Sequence, residues 1–327
     1  MEPAFSIIIP VYNSLNTLIA LLDSIFKQAD NHDFEVIVVD DCSTDDLSSL
    51  LKRYAVNLIR NETNIGSAAS RNKGARISRA GTLIFFDSDV ILEKDTLSKL
   101  VSRYREIPAG CALIGIYGKE PAEAGFIPEF KALLDYSHWQ GFGFSEVTSF
   151  EPRCAIIDKV LFERIGFFDE NIKGADVEDY EFGYRLLQNG GKIYIDESIQ
   201  VRHHFPVTLS KLANNFFFRT SSWVGLFMKR HKFDNVATTK GLGVSCLLAF
   251  FSVISLFASF FLGNAVYSAA FSFIFFVILT WKFFGLVFKE KGVYFLLRAV
   301  FTQFLLCNVI VAGAMRGFIN SFIRRKK

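Results

Sequence analysis

The sequence predicts an α/β domain with a mainly parallel sheet covered by helices on both faces, followed by an α-helical membrane region. Three observations lead there. Up to Asp89, short uncharged runs rich in β-branched residues alternate with segments of helical periodicity, and that order favours a parallel sheet. Three of those runs end in polar groups, Tyr12-Asn13, Asp40-Asp41 and Asp87-Ser88-Asp89, and ligands of such sheets bind beyond the carboxyl ends of the strands. Composition then changes sharply: more than half of the 37 Phe lie after His204, and from Gly241 long stretches carry almost no charge.

Each element follows in order. Residues 5–10 read as a buried strand ended by Pro10. Leu15, Leu18, Leu21, Leu22, Ile25 and Phe26 recur at helical spacing over residues 14–28, with Ser14 in the capping position. Residues 34–39 form a second strand, 45–54 a helix, 56–60 a short strand, 67–79 a helix and 82–86 the strand that runs into Asp87. From 113 to 150, Gly, Pro and aromatic residues predict irregular chain. Beyond Ala155 the sequence predicts a turn at 166–169, a helix at 177–188 closed by Asn189-Gly190-Gly191, a strand at 192–195 and an extended segment at 199–203.

Residues 209–232 set Phe216, Phe217, Phe218, Trp223 and Phe227 against Lys211, Arg219, Lys229 and Arg230. That pattern suits a helix on a membrane surface with Trp223 at the headgroups; a buried bundle helix is the plainer alternative. Residues 242–262 carry no charge over about the length that crosses a bilayer, and 265–288 are interrupted only by Lys282. The run 293–318 holds Arg298, Gln303, Asn308 and Arg316 and is the weaker span. Two spans, with the last segment at the interface, put the basic clusters before the first run, at Lys289-Glu290-Lys291 and at 324–327 on the cytoplasmic side; three spans do not. The expected organisation is a catalytic domain at 1–205, interfacial amphipathic helices at 206–240, and a membrane region at 241–327 with two or three hydrophobic helices able to support oligomerisation.

Other classes fall away. A net charge of +3 gives no reason to expect a nucleic-acid partner. The five cysteines are scattered and lack a CxxC spacing, which points to a reducing compartment rather than to disulfides or zinc. Residues 6–10 are preceded by Glu2 and broken by Pro10, unlike a signal peptide, so the catalytic domain is expected in the cytoplasm.

The chemistry concentrates in a few places. Asp87 and Asp89, one residue apart after a buried strand, can hold a hard divalent cation against a diphosphate leaving group; on a solvated turn the same pattern means nothing. Asp40 and Asp41 suit hydrogen bonds to a base or ribose with Tyr12 against the base, or Asp41 and Ser43 merely cap the next helix. Asn64, Gly66, Arg71 and Lys73 join a glycine turn to a helix start where anionic groups can sit, or form a solvated basic face. Glu178 and Asp179 open a helix and offer a general base for an acceptor hydroxyl, or complement the helix dipole. His203-His204 can complete a metal site with Asp89, or play a structural part.

Taken in order, residues 6–13 (Ser-Ile-Ile-Ile-Pro-Val-Tyr-Asn), 38–45 (Val-Val-Asp-Asp-Cys-Ser-Thr-Asp), Asn64-Ile65-Gly66 with Arg71-Asn72-Lys73-Gly74, Phe86-Asp87-Ser88-Asp89 and Glu178-Asp179 resemble family 2 glycosyltransferases of the GT-A fold over about residues 4–204. The resemblance implies a Rossmann-like GT-A domain and an inverting transfer from a nucleotide-sugar, a UDP-sugar by default, with Mn2+ or Mg2+. It makes Asp89 the principal metal ligand supported by Asp87, His203 a further ligand with His204 as fallback, and Asp179 the base beside Glu178. Pro10, Val11, Tyr12, Asn13, Asp40, Asp41, Asn64, Gly66, Arg71, Asp87 and Ser88 would line the donor site, and residues 166–170 the acceptor side. The QxxRW pattern of processive synthases is only echoed, with Arg219 and Trp223 apart. The expected function is therefore transfer of one sugar to a membrane-associated hydroxyl acceptor such as a lipid-linked saccharide. A polyprenyl-phosphate sugar synthase and a catalytically silent membrane scaffold are the alternatives.

Overall fold

The computed structural model describes residues 3–28, 33–172, 177–236 and 238–325. In chain order the elements are β1 (Phe5–Val11), α1 (Leu15–Phe26), β2 (Phe34–Asp40), α2 (Leu47–Leu50), β3 (Val56–Arg60), α3 (Ser67–Ile77), β4 (Thr82–Phe86), β5 (Val90–Leu92) and α4 (Thr96–Glu106). There follow β6 (Cys111–Tyr117), α5 (Phe126–Trp139), β7 (Phe144–Val147), β8 (Cys154–Asp158), α6 (Lys159–Ile165), α7 (Glu178–Gln188) and β9 (Lys192–His203). The last four are α8 (Leu209–Arg230), α9 (Lys240–Ala258), α10 (Ala265–Leu279) and α11 (Trp281–Arg325).

The described strands form one sheet of order β3-β2-β1-β4-β8-β6-β9-β5, with β7 also on β9. Its first four strands are parallel, as the alternating pattern predicts. The sheet as a whole is mixed, because β8 runs antiparallel between β4 and β6. Two antiparallel steps restore direction, and β9 is parallel to β6, so β1, β2, β3, β4, β6 and β9 all end at one rim. Residues Ile7, Ile8, Ile9, Leu83, Ile84 and Phe85 are fully buried on both faces, which explains their continuous apolar runs. Gly74 allows α3 to lie close on this sheet: a Cβ there would fall 2.6 Å from Ile8 Cγ2.

Three local expectations are corrected. Pro10 does not end β1, which continues to Val11; pairing with β4 stops at Ile8, leaving a side of the strand where no amide is needed. The segment 113–150 is not irregular, since it holds most of β6, all of α5 and β7. Its glycines and aromatic residues pack the elements rather than interrupt them: Phe130 and Trp139 on α5 are buried. The strand at 192–195 and the segment at 199–203 are one strand, β9, whose pairing with β6 shifts register between Ile114 and Ile116.

The chain divides into two compact units, Met1–Ala122 with Trp139–His204, and Glu123–His138 with Phe205–Lys327. The change at His204 lies beside the expected boundary at 205, but nearly all of α5 groups with the C-terminal helices. Within that second unit Glu129 of α5 pairs with Lys291 at 2.6 Å, and Phe126 lies 4.8 Å from Phe295, ring centre to ring centre. Among the described residues, one helix, α8, precedes the start of α9 at Lys240 in the segment 206–240, where several were expected. Trp223 packs on Phe227 and Phe233, and its indole donates to Asp234 at 3.4 Å. Helices α9 and α11 are long and apolar enough to cross a membrane. The apolar run 265–288 is not one span: α10 closes at Leu279 after 15 residues, and the remainder begins α11, which bends at Gly292, φ 79°.

Candidate active site

The site is built at the common rim of the sheet, where apolar strands give way to polar turns. At the end of β1, Pro10 and Val11 are buried and Tyr12 is exposed. Asn13 adopts φ 49°, a conformation Asn tolerates, and ties this turn to the next. Its amide donates to Ser43 Oγ at 3.0 Å, and its Oδ1 accepts from the Thr44 amide at 2.8 Å.

The end of β2 carries a buried acid pair with two distinct tasks. Asp40 accepts from the Ser43 amide at 2.8 Å and pairs with Arg60 at 3.2 Å. Asp41 accepts from the amides of Ile65 and Gly66, both at 2.8 Å, and from Asn61 Nδ2 at 2.9 Å. Its carboxylate therefore fixes the loop leading to α3. The cap of α2 is Asp46, which accepts from the Ser49 amide, so the alternative in which Asp41 and Ser43 cap the next helix does not hold. Asn64 is exposed at the loop tip, while Gly66 is buried at φ 93° just before α3.

The end of β4 differs. Asp87, Ser88 and Asp89 form the tight turn into β5, closed by the Val90 amide on the Asp87 carbonyl. Asp87 Oδ1 takes Arg71 Nη2 at 2.6 Å, and Asp89 Oδ2 takes His203 Nε2 at 3.2 Å. Pairing of Val90 with His203 brings the last residue of β9 to this turn, and the His204 amide donates to the Asp89 carbonyl at 2.9 Å. The histidines thus reach the rim as expected, and His203 rather than His204 meets the carboxylate. Burial raises the Asp89 pKa, but the adjoining His203 imidazole and its hydrogen bond outweigh that and hold it below its ordinary value.

Arg71 joins this turn to the start of α7. Its Nη1 lies 3.0 Å from Glu178 Oε1, which also accepts from Ser67 Oγ at 2.9 Å. Burial works against the charge on Arg71, yet the flanking Asp87 and Glu178 carboxylates raise its pKa, so the guanidinium stays protonated. Asp179, also buried, follows Glu178 in the first turn of α7. Residues 174–176, expected to lead into this turn, lie outside the described residues. The turn at 166–170, expected on the acceptor side, is held by Asn72, whose side chain accepts from the Phe168 amide and donates to the Phe168 carbonyl and to Glu170.

Sequence reasoning missed two contributors. Asn61, which follows β3, connects Asp41, Ser70 and Lys73. It obeys the same strand-end rule as the acids and was legible by it. Tyr117 ends β6 with its ring centre 4.6 Å from that of His203, an arrangement that only the β6–β9 pairing creates.

A hard divalent cation fits the donors at hand: a carboxylate and an imidazole, Asp89 and His203, already converge on one point. Asp87 instead faces Arg71, and no group of three His, Cys, Asp or Glu converges among the described residues, so the expected trio is not preassembled.

The strand-end acids of this rim lie within a stretch that matches a known family, while Glu178 and Asp179 lie beyond it. Residues 6–166 match the model of glycosyl transferase family 2. Over those residues, just under half of its length, this chain has the sequence of glycosyltransferase family 2. An uncharacterized glycosyltransferase of Haemophilus influenzae is 33% identical over 195 residues, which are 56% of this chain and 62% of that protein. Poly(ribitol-phosphate) beta-N-acetylglucosaminyltransferase TarS of Staphylococcus aureus is 34% identical over 203 residues, 58% of this chain and 34% of its own. The match thus spans less than two thirds of either relative. The mannosyltransferase PcManGT from Pyrobaculum calidifontis, solved with GDP-Man and Mn2+, shares the fold, with TM-score 0.60 over 98% of this chain and 88% of that one at 16% identity. The family's GT-A fold is therefore present here, on a mixed sheet, with apolar helices following it.

Proposed function

We propose that this chain transfers a single sugar, with inversion, from a nucleotide-sugar to a membrane-associated hydroxyl acceptor, working in the cytoplasm beside a membrane that its C-terminal helices enter. A UDP-sugar is the default donor. The observation that carries the reading is the Arg71 bridge: one buried guanidinium holds the turn after β4 and the acid pair of α7 in a single site.

Tyr12 offers an exposed ring to the base, with Asp40 and Asn13 beside it. Asp89 and His203 would hold Mn2+ or Mg2+, which supplies positive charge against the leaving diphosphate. Arg71 stands next to the same turn and adds a fixed cation on the protein's side. Asp179 accepts the proton of the attacking hydroxyl, while Glu178, held by Arg71 and Ser67, positions the turn that carries it. PcManGT was solved with a nucleotide-sugar and Mn2+, and TarS is named for transfer onto a polymer of ribitol phosphate; both are in keeping with this chemistry.

Calorimetric titration of UDP, GDP and dTDP with and without Mn2+ tests it directly. Metal-dependent binding of one nucleotide is expected, weakened about a hundredfold or more by Asp89→Ala. In the same preparation Asp179→Asn should lower kcat roughly a thousandfold without weakening the nucleotide. A mild loss in Asp179→Asn indicates an acceptor that is already anionic, such as a polyprenyl phosphate. Absence of nucleotide binding by folded protein leaves a silent scaffold.

A further inference from the structure

The α9–α10 hairpin has the makings of a membrane wedge rather than a pair of crossings. No charged residue occurs from Gly241 to Trp281, and Lys240 and Lys282 mark its two ends. Both charges belong at the headgroups. From there the shorter arm sets the reach: α10 has 15 residues, about 22 Å at 1.5 Å per residue, against a hydrocarbon core of about 30 Å.

The tip is built for hydrocarbon. Phe260, Phe261, Leu262 and Tyr267 are 80, 90, 67 and 75% exposed, and no lysine, arginine or acid accompanies them. Backbone in lipid must satisfy its own polar groups. Here the amides of Ser259, Phe260, Phe261 and Leu262 donate to carbonyls of the last turn of α9, and those of Ala265, Val266 and Tyr267 donate to Leu262, Gly263 and Asn264.

The neighbouring helices α8 and α11 pack closely. Gly313 and Gly317 of α11 bring its backbone against Phe217 and Ser221 of α8: an added Cβ would sit 2.5 Å from each of those carbonyl oxygens. The matching offsets make the two helices run side by side in the same direction. Were this part of α11 to cross the bilayer, α8 would accompany it and carry the exposed Arg219 into hydrocarbon. Arg298 lies 3.9 Å over the Phe126 ring and Lys291 pairs with Glu129, further charges that suit the headgroup region.

We propose that the α9–α10 hairpin dips into the membrane from the catalytic side and ends in the hydrocarbon, while α8 and the part of α11 after Gly292 lie in the headgroup layer of that same face. The partner surface is lipid: acyl chains for the hairpin, headgroups for the basic pair of helices. This rests on the membrane reading above and replaces the two crossings expected from sequence.

Single cysteines at Gly263, Asn264, Ser210 and Asn320, in a Cys42→Ser background, test it in sealed vesicles of either orientation with a membrane-impermeant maleimide. Ser210→Cys and Asn320→Cys should label from one face. Gly263→Cys and Asn264→Cys should label from neither, at least tenfold more slowly than Asn320→Cys, until detergent is added. Labelling of the tip from the opposite face means a crossing and overturns the proposal, as does labelling of Asn320→Cys opposite to Ser210→Cys. Labelling of the tip from the Ser210 face shows that it is not embedded and overturns it too. Recovery of the chain in the soluble fraction instead removes the membrane reading itself.

Discussion

The sheet ends twice in an acid pair, after β2 and after β4, and the two are held in different ways. Asp41 is clasped by the main-chain amides of Ile65 and Gly66, which cannot turn away. Asp87 and Asp89 are held by side chains, of which His203 can turn away while Arg71 is pinned by Glu178. An incoming diphosphate and cation can replace a side-chain partner without unfolding a loop. The acids after β2 therefore shape the site, and Asp89 after β4 remains available to a ligand.

The largest expected effect comes from removing the cation between the two carboxylate motifs. Arg71→Ala leaves Glu178 buried without its countercharge and should cost about 3–5 kcal/mol, read from the urea midpoint. A shift under about 1 kcal/mol would mean that the bridge does not organise the site. Next, Asp41→Ala strips the acceptor from a buried and a part-buried amide and should cost about 2–4 kcal/mol, whereas Asp89→Ala should cost about 1 kcal/mol or less, the His203 pairing alone, while weakening metal-dependent binding about a hundredfold or more. Equal destabilisation by both would erase the distinction between the two strand ends.

The smallest effect concerns acid. The folded pKa of Asp89 is depressed, so its contribution to stability is present above the ordinary carboxylate value of 3.8 and is lost as pH falls through the folded value. In chelator-treated protein, the stability gap between the native chain and Asp89→Asn should persist at about pH 5 and vanish toward about pH 2. A gap that grows in acid would contradict the pairing with His203.

How much of this was legible followed from where the information lies. Strands β1, β2 and β4 announced themselves because they are buried on both faces over most of their length, and a run such as Leu83-Ile84-Phe85 has no other use. Their terminal residues were legible by the same rule. The antiparallel join through β8 was not, since its apolar residues carry no record of direction. Nor was α5: Phe126, Phe130 and Trp139 look like loop aromatics until the helices that cover some of them are known. The division of labour between Asp40 and Asp41 also escaped the sequence, because it depends on which loop amides the fold turns toward each of them.

The placement of α5 also bears on synthesis. The chain passes from one unit to the other after Ala122, returns after His138 and leaves again after His204. Glu129 therefore leaves the ribosome 162 residues (291 − 129) before Lys291, its ion-pair partner. At about 5–20 residues per second, that is roughly ten to thirty seconds during which the apolar face of α5 lacks its cover. A gene truncated after residue 205 would make the wait permanent, so a soluble catalytic fragment calls for excision of residues 123–138 as well.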